Sequence, residues 1–287
     1  MDQFSHVLGH AHATLLDMQQ SPGPKPKAQR RALHRLQNAA SIQAVKPAIV
    51  PATPEPVLEN PASVQSIAHT GIDPDTVDRS RDWTWEELES ATRACTRCPH
   101  LVRSRTQVVF GVGNRNADLM FVGEAPGADE DLQGEPFVGR AGQLLTKIIE
   151  AMGLTRDDIY IGNVLKCRPD MPPGESGNRK PRPDEMATCL PWLSAQIRLV
   201  RPRAIVALGA TAAEGLLGET ALMRDLRGKW FEHESIPALV TYHPAYLLRN
   251  QSLTEKRKVW EDMLLVMEKM NLPISEKQRG FFLKAAS

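Results

Sequence analysis

One stretch of this chain restricts its fold more than any other. The apolar run Leu119-Met120-Phe121-Val122 leads into GEAPGADEDLQGEPFVGRAG, residues 123–142, and then into Leu144, Leu145, Ile148, Ile149 and Met152 at helical spacing. The pattern reads as a buried strand, a long loop and a helix. Five glycines and two prolines punctuate the loop, and glycine lets a backbone come close to a ligand. In α/β sheets such a loop lies beyond the carboxyl end of a strand, where ligands bind. The carboxylates of Glu124, Asp129, Glu130 and Asp131 argue against a phosphate cradle, and no GxxxxGK followed by Ser or Thr is present. Acid/base or water-orienting chemistry suits them better. A plain solvated acidic loop is the alternative, and it leaves the isolated aromatic Phe137 without a role.

The remaining pattern agrees with that start. Strands are expected at 159–164, 204–208 and 237–242, and helices at 183–200, 211–217 and 253–270. Pro191 is expected to bend the helix at 183–200 or to mark its true start. Thr84 and Glu87 form a capping box for a helix that runs to about Ala94. Strands alternating with helices predict a three-layer α/β/α sandwich around a four-stranded, mostly parallel sheet. A chain of 287 residues has room for one such domain, placed at 81–272, with a C-terminal tail at 273–287. Ahead of it, residues 1–20 have helical amphipathic spacing, with Phe4, Val7, Leu8, Leu15 and Leu16 on one side. His6, His10 and His12 in that segment read as solvated rather than metal-binding. Residues 21–80 are Pro- and Ala-rich with almost no aromatics, and read as a disordered linker or a tether for a protein partner.

No apolar run approaches the ~20 residues of a membrane span, and no basic start leads into an apolar core, so a cytoplasmic protein is expected. The net charge of +1 conceals a concentration of arginines: Arg93, Arg97, Arg103, Arg105, Arg115, Arg140, Arg156, Arg168, Arg179 and Arg182. That distribution fits a surface facing a polyanion, with an ordinary solvated surface as the alternative. Four cysteines in such a chain point to metal or redox chemistry before disulfides. Cys95 and Cys98 are spaced to face one metal, Cys167 follows a strand, and Cys189 comes 22 positions later on a helix. With one CxxC and two scattered thiols, an iron–sulfur cluster fits somewhat better than zinc, and buried free thiols fit least well.

Taken together, GEAPGADED with GEPFVGRAG, NVLKCRP, HPAYLLRN and the order of the four cysteines resemble the family 4 (iron–sulfur) uracil-DNA glycosylases over about residues 84–270. The resemblance implies a four-stranded parallel sheet, a [4Fe–4S] cluster on Cys95, Cys98, Cys167 and Cys189, and excision of uracil from single- or double-stranded DNA by a nucleoid-associated monomer. It implies that Phe137 stacks on the flipped base, that Asn163 reads the uracil edge, and that His243 donates to uracil O2. Gly123, Ala125 and Asn178 fall at substrate-binding positions, and Leu247, Leu248 and Arg249 at the loop that wedges into the vacated stack. Glu124 and Glu130 match positions of importance, with Glu130 favoured for the water and Glu124 for holding the loop. Arg97 and Arg168 are expected to face DNA. Two departures stand out. Met171–Ser176 reads as an insertion between Cys167 and Cys189, and Ala125 stands where better-known superfamily members carry an aspartate. A related branch traps uracil covalently through a basic loop with a histidine; residues 168–188 contain none, which favours turnover. A non-catalytic or covalent-trapping iron–sulfur uracil-DNA-binding protein of the same fold is the alternative.

Overall fold

In the computed structural model, which describes residues 82–172 and 174–283, the predicted capping box opens the first helix, α1 (Trp85–Arg93). The Glu87 backbone N–H donates to Thr84 Oγ1 at 3.2 Å, and the Thr84 N–H donates back to Glu87 Oε2 at 3.0 Å. The expected N-terminal helix, its histidines and the Pro-rich linker lie outside the described residues. After α1 come α2 (Pro99–Ser104), β1 (Val112–Gly113), β2 (Leu119–Gly123), α3 (Ala128–Gln133), α4 (Arg140–Ala151) and β3 (Tyr160–Asn163). The second half runs α5 (Pro183–Val200), β4 (Ala204–Leu208), α6 (Ala210–Leu217), α7 (Met223–Leu226), β5 (Trp230–His233), β6 (Ile236–Thr241), α8 (Pro244–Arg249), α9 (Leu253–Lys269) and α10 (Glu276–Arg279).

The strand order is β1-β3-β2-β4-β6-β5. The four central strands are parallel, as expected, but the sheet has six strands rather than four. The additions are edge strands, β1 antiparallel to β3 and β5 antiparallel to β6. Parallel strands covered on both faces read as continuous apolar runs, and β2 and β4 are buried at every position. β5 is only partly buried and β1 is two residues long, so neither carries that signature.

Side chains alternate across the sheet. Met120, Val122, Tyr160, Ile205, Ala207, Ala238 and Val240 share a core with Leu88 of α1, Trp192 and Leu193 of α5, and Ala212 and Leu216 of α6. By the same alternation Phe121, Ile161, Val206 and Leu239 face the opposite side, where α9 packs on β4 and β6. α5 runs unbroken through Pro191, which neither starts nor ends it. Buried Met186, Cys189, Trp192, Leu193 and Ile197 hold the helix across the missing hydrogen bond. The segment after 272 docks on the domain. Trp260 Nε1 donates to the Gln278 carbonyl at 2.6 Å, and Gln278 Nε2 donates to the Ala151 carbonyl at 2.9 Å. No helix among the described residues is long and apolar enough to cross a membrane.

Candidate active site and cysteine centre

Strand register assembles the pocket. Gly123 ends β2 and pairs with Asn163 at the end of β3, and His243 follows the end of β6 by two residues. A Cβ on Gly123 would stand 2.4 Å from Asn163 Oδ1 and 2.6 Å from the Phe137 ring, so only glycine allows that approach. The Phe137 and His243 rings lie 5.6 Å apart between centroids, tilted by 31°. Asn163 is 2% exposed, and its Oδ1 has no hydrogen-bond partner within the protein. Buried polar atoms are rarely left so, and this one lies with the Phe137 ring beside Gly123. Phe137 is 6% exposed and has φ of 57°, a left-handed backbone that costs about 1–3 kcal/mol for a residue with a side chain.

His243 caps α8, its Nδ1 accepting from the Ala245 N–H at 3.1 Å. A ring that accepts at Nδ1 carries its single proton on Nε2. Burial, helped by the charge of Arg249, pushes its pKa down to about 4, so the ring is neutral near pH 7 and Nε2–H is a donor.

The acidic loop divides its carboxylates among different tasks. Asp129, Glu130 and Asp131 fill the first turn of α3, where the helix dipole favours negative charge. Asp131 is buried and accepts the Thr106 N–H at 3.0 and 2.9 Å. Glu130 accepts three backbone N–H groups, from Gly127 at 3.1 Å, Val138 at 3.1 Å and Gly139 at 2.9 Å. Glu130 therefore holds the loop, the task expected of Glu124. Glu124 sits directly after Gly123. Burial raises its pKa, against the Thr211 hydroxyl and the charge of Lys180, which favour the anion. Asn178 is exposed, with its Nδ2 3.1 Å from where a Cβ on Gly127 would stand, and Ala125 packs against the core. Of the expected wedge, Leu247 is buried at 4% exposure in the DNA-free protein. Leu248 is half-buried and Arg249 exposed.

All four cysteines line one cavity, together with Arg97, Arg105 and Glu185. Burial, with mutual repulsion among the sulfurs, pushes Cys98 up to about 11 and Cys189 up to about 12. Cys95 goes the other way: burial opposes its thiolate, but the backbone N–H and charge of Arg97, with the Trp192 indole, together outweigh it. Two sulfurs already accept N–H groups, Cys189 from Lys166 at 3.2 Å and Cys167 from Arg105 Nη1 at 3.0 Å. Four soft donors with N–H groups aimed at sulfur and two guanidinium groups alongside fit a metal–sulfur group.

Residues 110–264 match the uracil DNA glycosylase superfamily. The chain is 43% identical over 189 residues to a type-4 uracil-DNA glycosylase of Thermotoga maritima, covering 64% of this chain and 93% of that protein. It is 42% identical over 182 residues to the type-4 enzyme of Archaeoglobus fulgidus, covering 60% and 88% respectively. Identity to a type-5 uracil-DNA glycosylase of Pyrobaculum aerophilum is 30% over 205 residues, covering 60% and 86%. This chain belongs to the uracil-DNA glycosylase superfamily, on its type-4 branch.

Within that family frame, several of the arginines have partners inside the protein. Arg115 pairs with Glu89 at 2.9 Å and Arg179 with Glu185 at 2.6 Å, while the half-buried Arg97 lies 4.9 Å over the Trp192 ring. Arg168 donates to the Gly177 carbonyl at 2.8 Å. Two more residues sit under the pocket: Lys166, which the sequence pattern did not single out, and Arg156, which it placed only among the arginines of a polyanion-facing surface. Lys166, 1% exposed, donates from Nζ to the Asn163 carbonyl at 3.0 Å and to Gln196 Oε1, and burial lowers its pKa to about 8. Arg156 donates to the carbonyls of Pro136 and Phe137 at 2.9 and 3.1 Å. The NVLKCRP motif contained Lys166 as a signal; for Arg156 no local pattern existed.

Proposed function

We propose that this protein flips uracil out of DNA and hydrolyses the bond between deoxyribose C1′ and uracil N1, leaving an abasic site. The observation that carries the reading is the convergence of Phe137, Asn163 and His243 around Gly123 at the carboxyl ends of parallel strands, in a type-4 chain. A base out of the stack needs an aromatic platform and an edge reader. Phe137 supplies the ring, and the unpartnered Asn163 Oδ1 is an acceptor suited to uracil N3–H. As the C1′–N1 bond breaks, its electron pair moves onto uracil and gathers at O2, where the His243 Nε2–H donates. The sugar becomes cationic at C1′. Water adds there and gives its proton to Glu124, which returns to its carboxylate as that proton neutralises the departing uracil anion. Because three backbone N–H groups occupy Glu130, Glu124 is assigned to the cation and the water. Turnover is favoured over covalent trapping, since residues 168–188 offer no histidine.

The cysteines fit a four-iron, four-sulfide cluster, with Cys95, Cys98, Cys167 and Cys189 as the residues that would hold it. When bound it supplies a cross-link between the segment ahead of α2, the end of the β3 loop and α5. No hydrolytic step requires it.

The test is a single-uracil oligonucleotide incubated with the iron-loaded protein and then heated in alkali, which nicks abasic sites. Cleavage at uracil alone is expected, with a cytosine control intact. Binding without cleavage would make the protein a uracil-DNA reader and remove the enzymatic assignment.

A further inference from the structure

Phe137 is the residue whose position most needs explaining. It carries a bulky side chain on a left-handed backbone, in a loop with no regular structure of its own. The peptide group that follows it is gripped from two sides. Its carbonyl, Phe137 O, accepts from Arg156 Nη1 at 3.1 Å, and its N–H, on Val138, donates to Glu130 Oε1 at 3.1 Å. The second arm of the same guanidinium takes the preceding carbonyl, Pro136 O, at 2.9 Å. A planar fork with two parallel donors fixes both the position and the tilt of the two carbonyls it holds. Gly142 completes the seat, because a Cβ there would stand 1.8 Å from Phe137 O.

We infer that Arg156 is a positioning residue for the stacking platform: it acts on the reaction through Phe137 and not by contact with DNA phosphate or the base. The inference rests on the proposed glycosylase reading. An arginine of a DNA enzyme would ordinarily be assigned to phosphate. Here the Nη1 and Nη2 atoms are directed at backbone carbonyls of the loop, and the Thr146 hydroxyl lies 3.4 Å from Nη1.

A double-mutant cycle tests this, with single-turnover excision rates at saturating DNA and binding titrations at one fixed salt for the parent, Arg156→Met, Phe137→Ala and the double variant. Arg156→Met is expected to lower the rate by about 10²-fold, the scale of a small misplacement near the reacting atoms. In the Phe137→Ala background the same change is expected to have almost no effect, because the group it positions is gone. Arg156→Lys, which keeps the charge and loses the fork, should recover part of the rate. Equal fold-losses in both backgrounds would overturn the inference. So would weaker binding with a parental rate at saturation, which would make Arg156 a phosphate contact. If Arg156→Met does not fold, the cycle is run with Arg156→Lys and judged by the same non-additivity. A parent that binds iron and folds but releases no uracil would overturn the glycosylase reading itself, an outcome distinct from an active parent with additive variants.

Discussion

His243 has one tautomer open to it, because the Ala245 N–H donates to Nδ1. That single hydrogen bond sets two expectations. First, His243→Ala should lower the single-turnover excision rate by about 10²–10³-fold, the usual loss for one preorganised donor, while DNA affinity stays close to parental. A variant that binds far more weakly but cleaves bound DNA at the parental rate would make His243 a docking residue. Second, the folded ring titrates near 4 and the unfolded one near 6.5. The neutral donor therefore persists well below pH 6.5, and a pH–rate profile should show no inflection there. The stability sign follows by linkage. Between pH 6.5 and 4 the unfolded chain binds the proton first, so the contribution of neutral His243 is complete above pH 6.5 and declines as the pH falls through that window.

At the scale of elements, α5 is tied to the loop ahead of it by one acid. Glu185, with its side chain wholly buried, accepts from the Arg182 N–H at 2.7 Å, from Arg179 at 2.9 and 2.6 Å, and pairs with His100 at 2.7 Å. Burial opposes its charge, but Arg179, the backbone of Arg182 and His100 together hold its pKa down to about 2. Its contribution is present above pH 4.5 and is lost as the pH falls from 4.5 towards 2. Glu185→Ala should destabilise by about 3–5 kcal/mol, the range for breaking a buried ion pair, and should flatten that part of the stability–pH curve in denaturant titrations. An unchanged midpoint would show that the other pairs suffice. Elements of this kind were legible where burial leaves an apolar run or a helical repeat: β2, β3, β4 and β6 and the long helices match their expected spans within a few residues. The edge strands were not, because pairing on one side only needs little apolar surface. Pocket residues at strand ends, such as Asn163 and His243, were legible by position. The grip of Glu130 on the loop was not, since its partners are backbone N–H groups supplied by residues 127, 138 and 139. Backbone donors leave no mark in a sequence.

For the whole molecule, every side chain placed at the pocket or the cysteine centre lies between Cys95 and Arg249, and the two type-4 relatives named above are matched over 88–93% of their length by 60–64% of this chain. A protein beginning at Asp82 is therefore expected to fold and to excise uracil at the rate of the full chain; a folded but inactive product would give residues 1–81 a part in the reaction. Cys167→Ala should lose iron and much of its folded state, because the ligand set spans three segments; full iron content with parental stability would refute the four-cysteine site. One consequence of the buried, unpartnered Asn163 Oδ1 lies after the chemistry. That atom is buried in the free enzyme with no partner in the protein, so any molecule bearing the uracil edge offers it the same hydrogen bond, whether or not it is still joined to DNA. The leaving base should linger: added free uracil should slow steady-state turnover by competition, and Asn163→Ala should release both the inhibition and the selectivity that causes it.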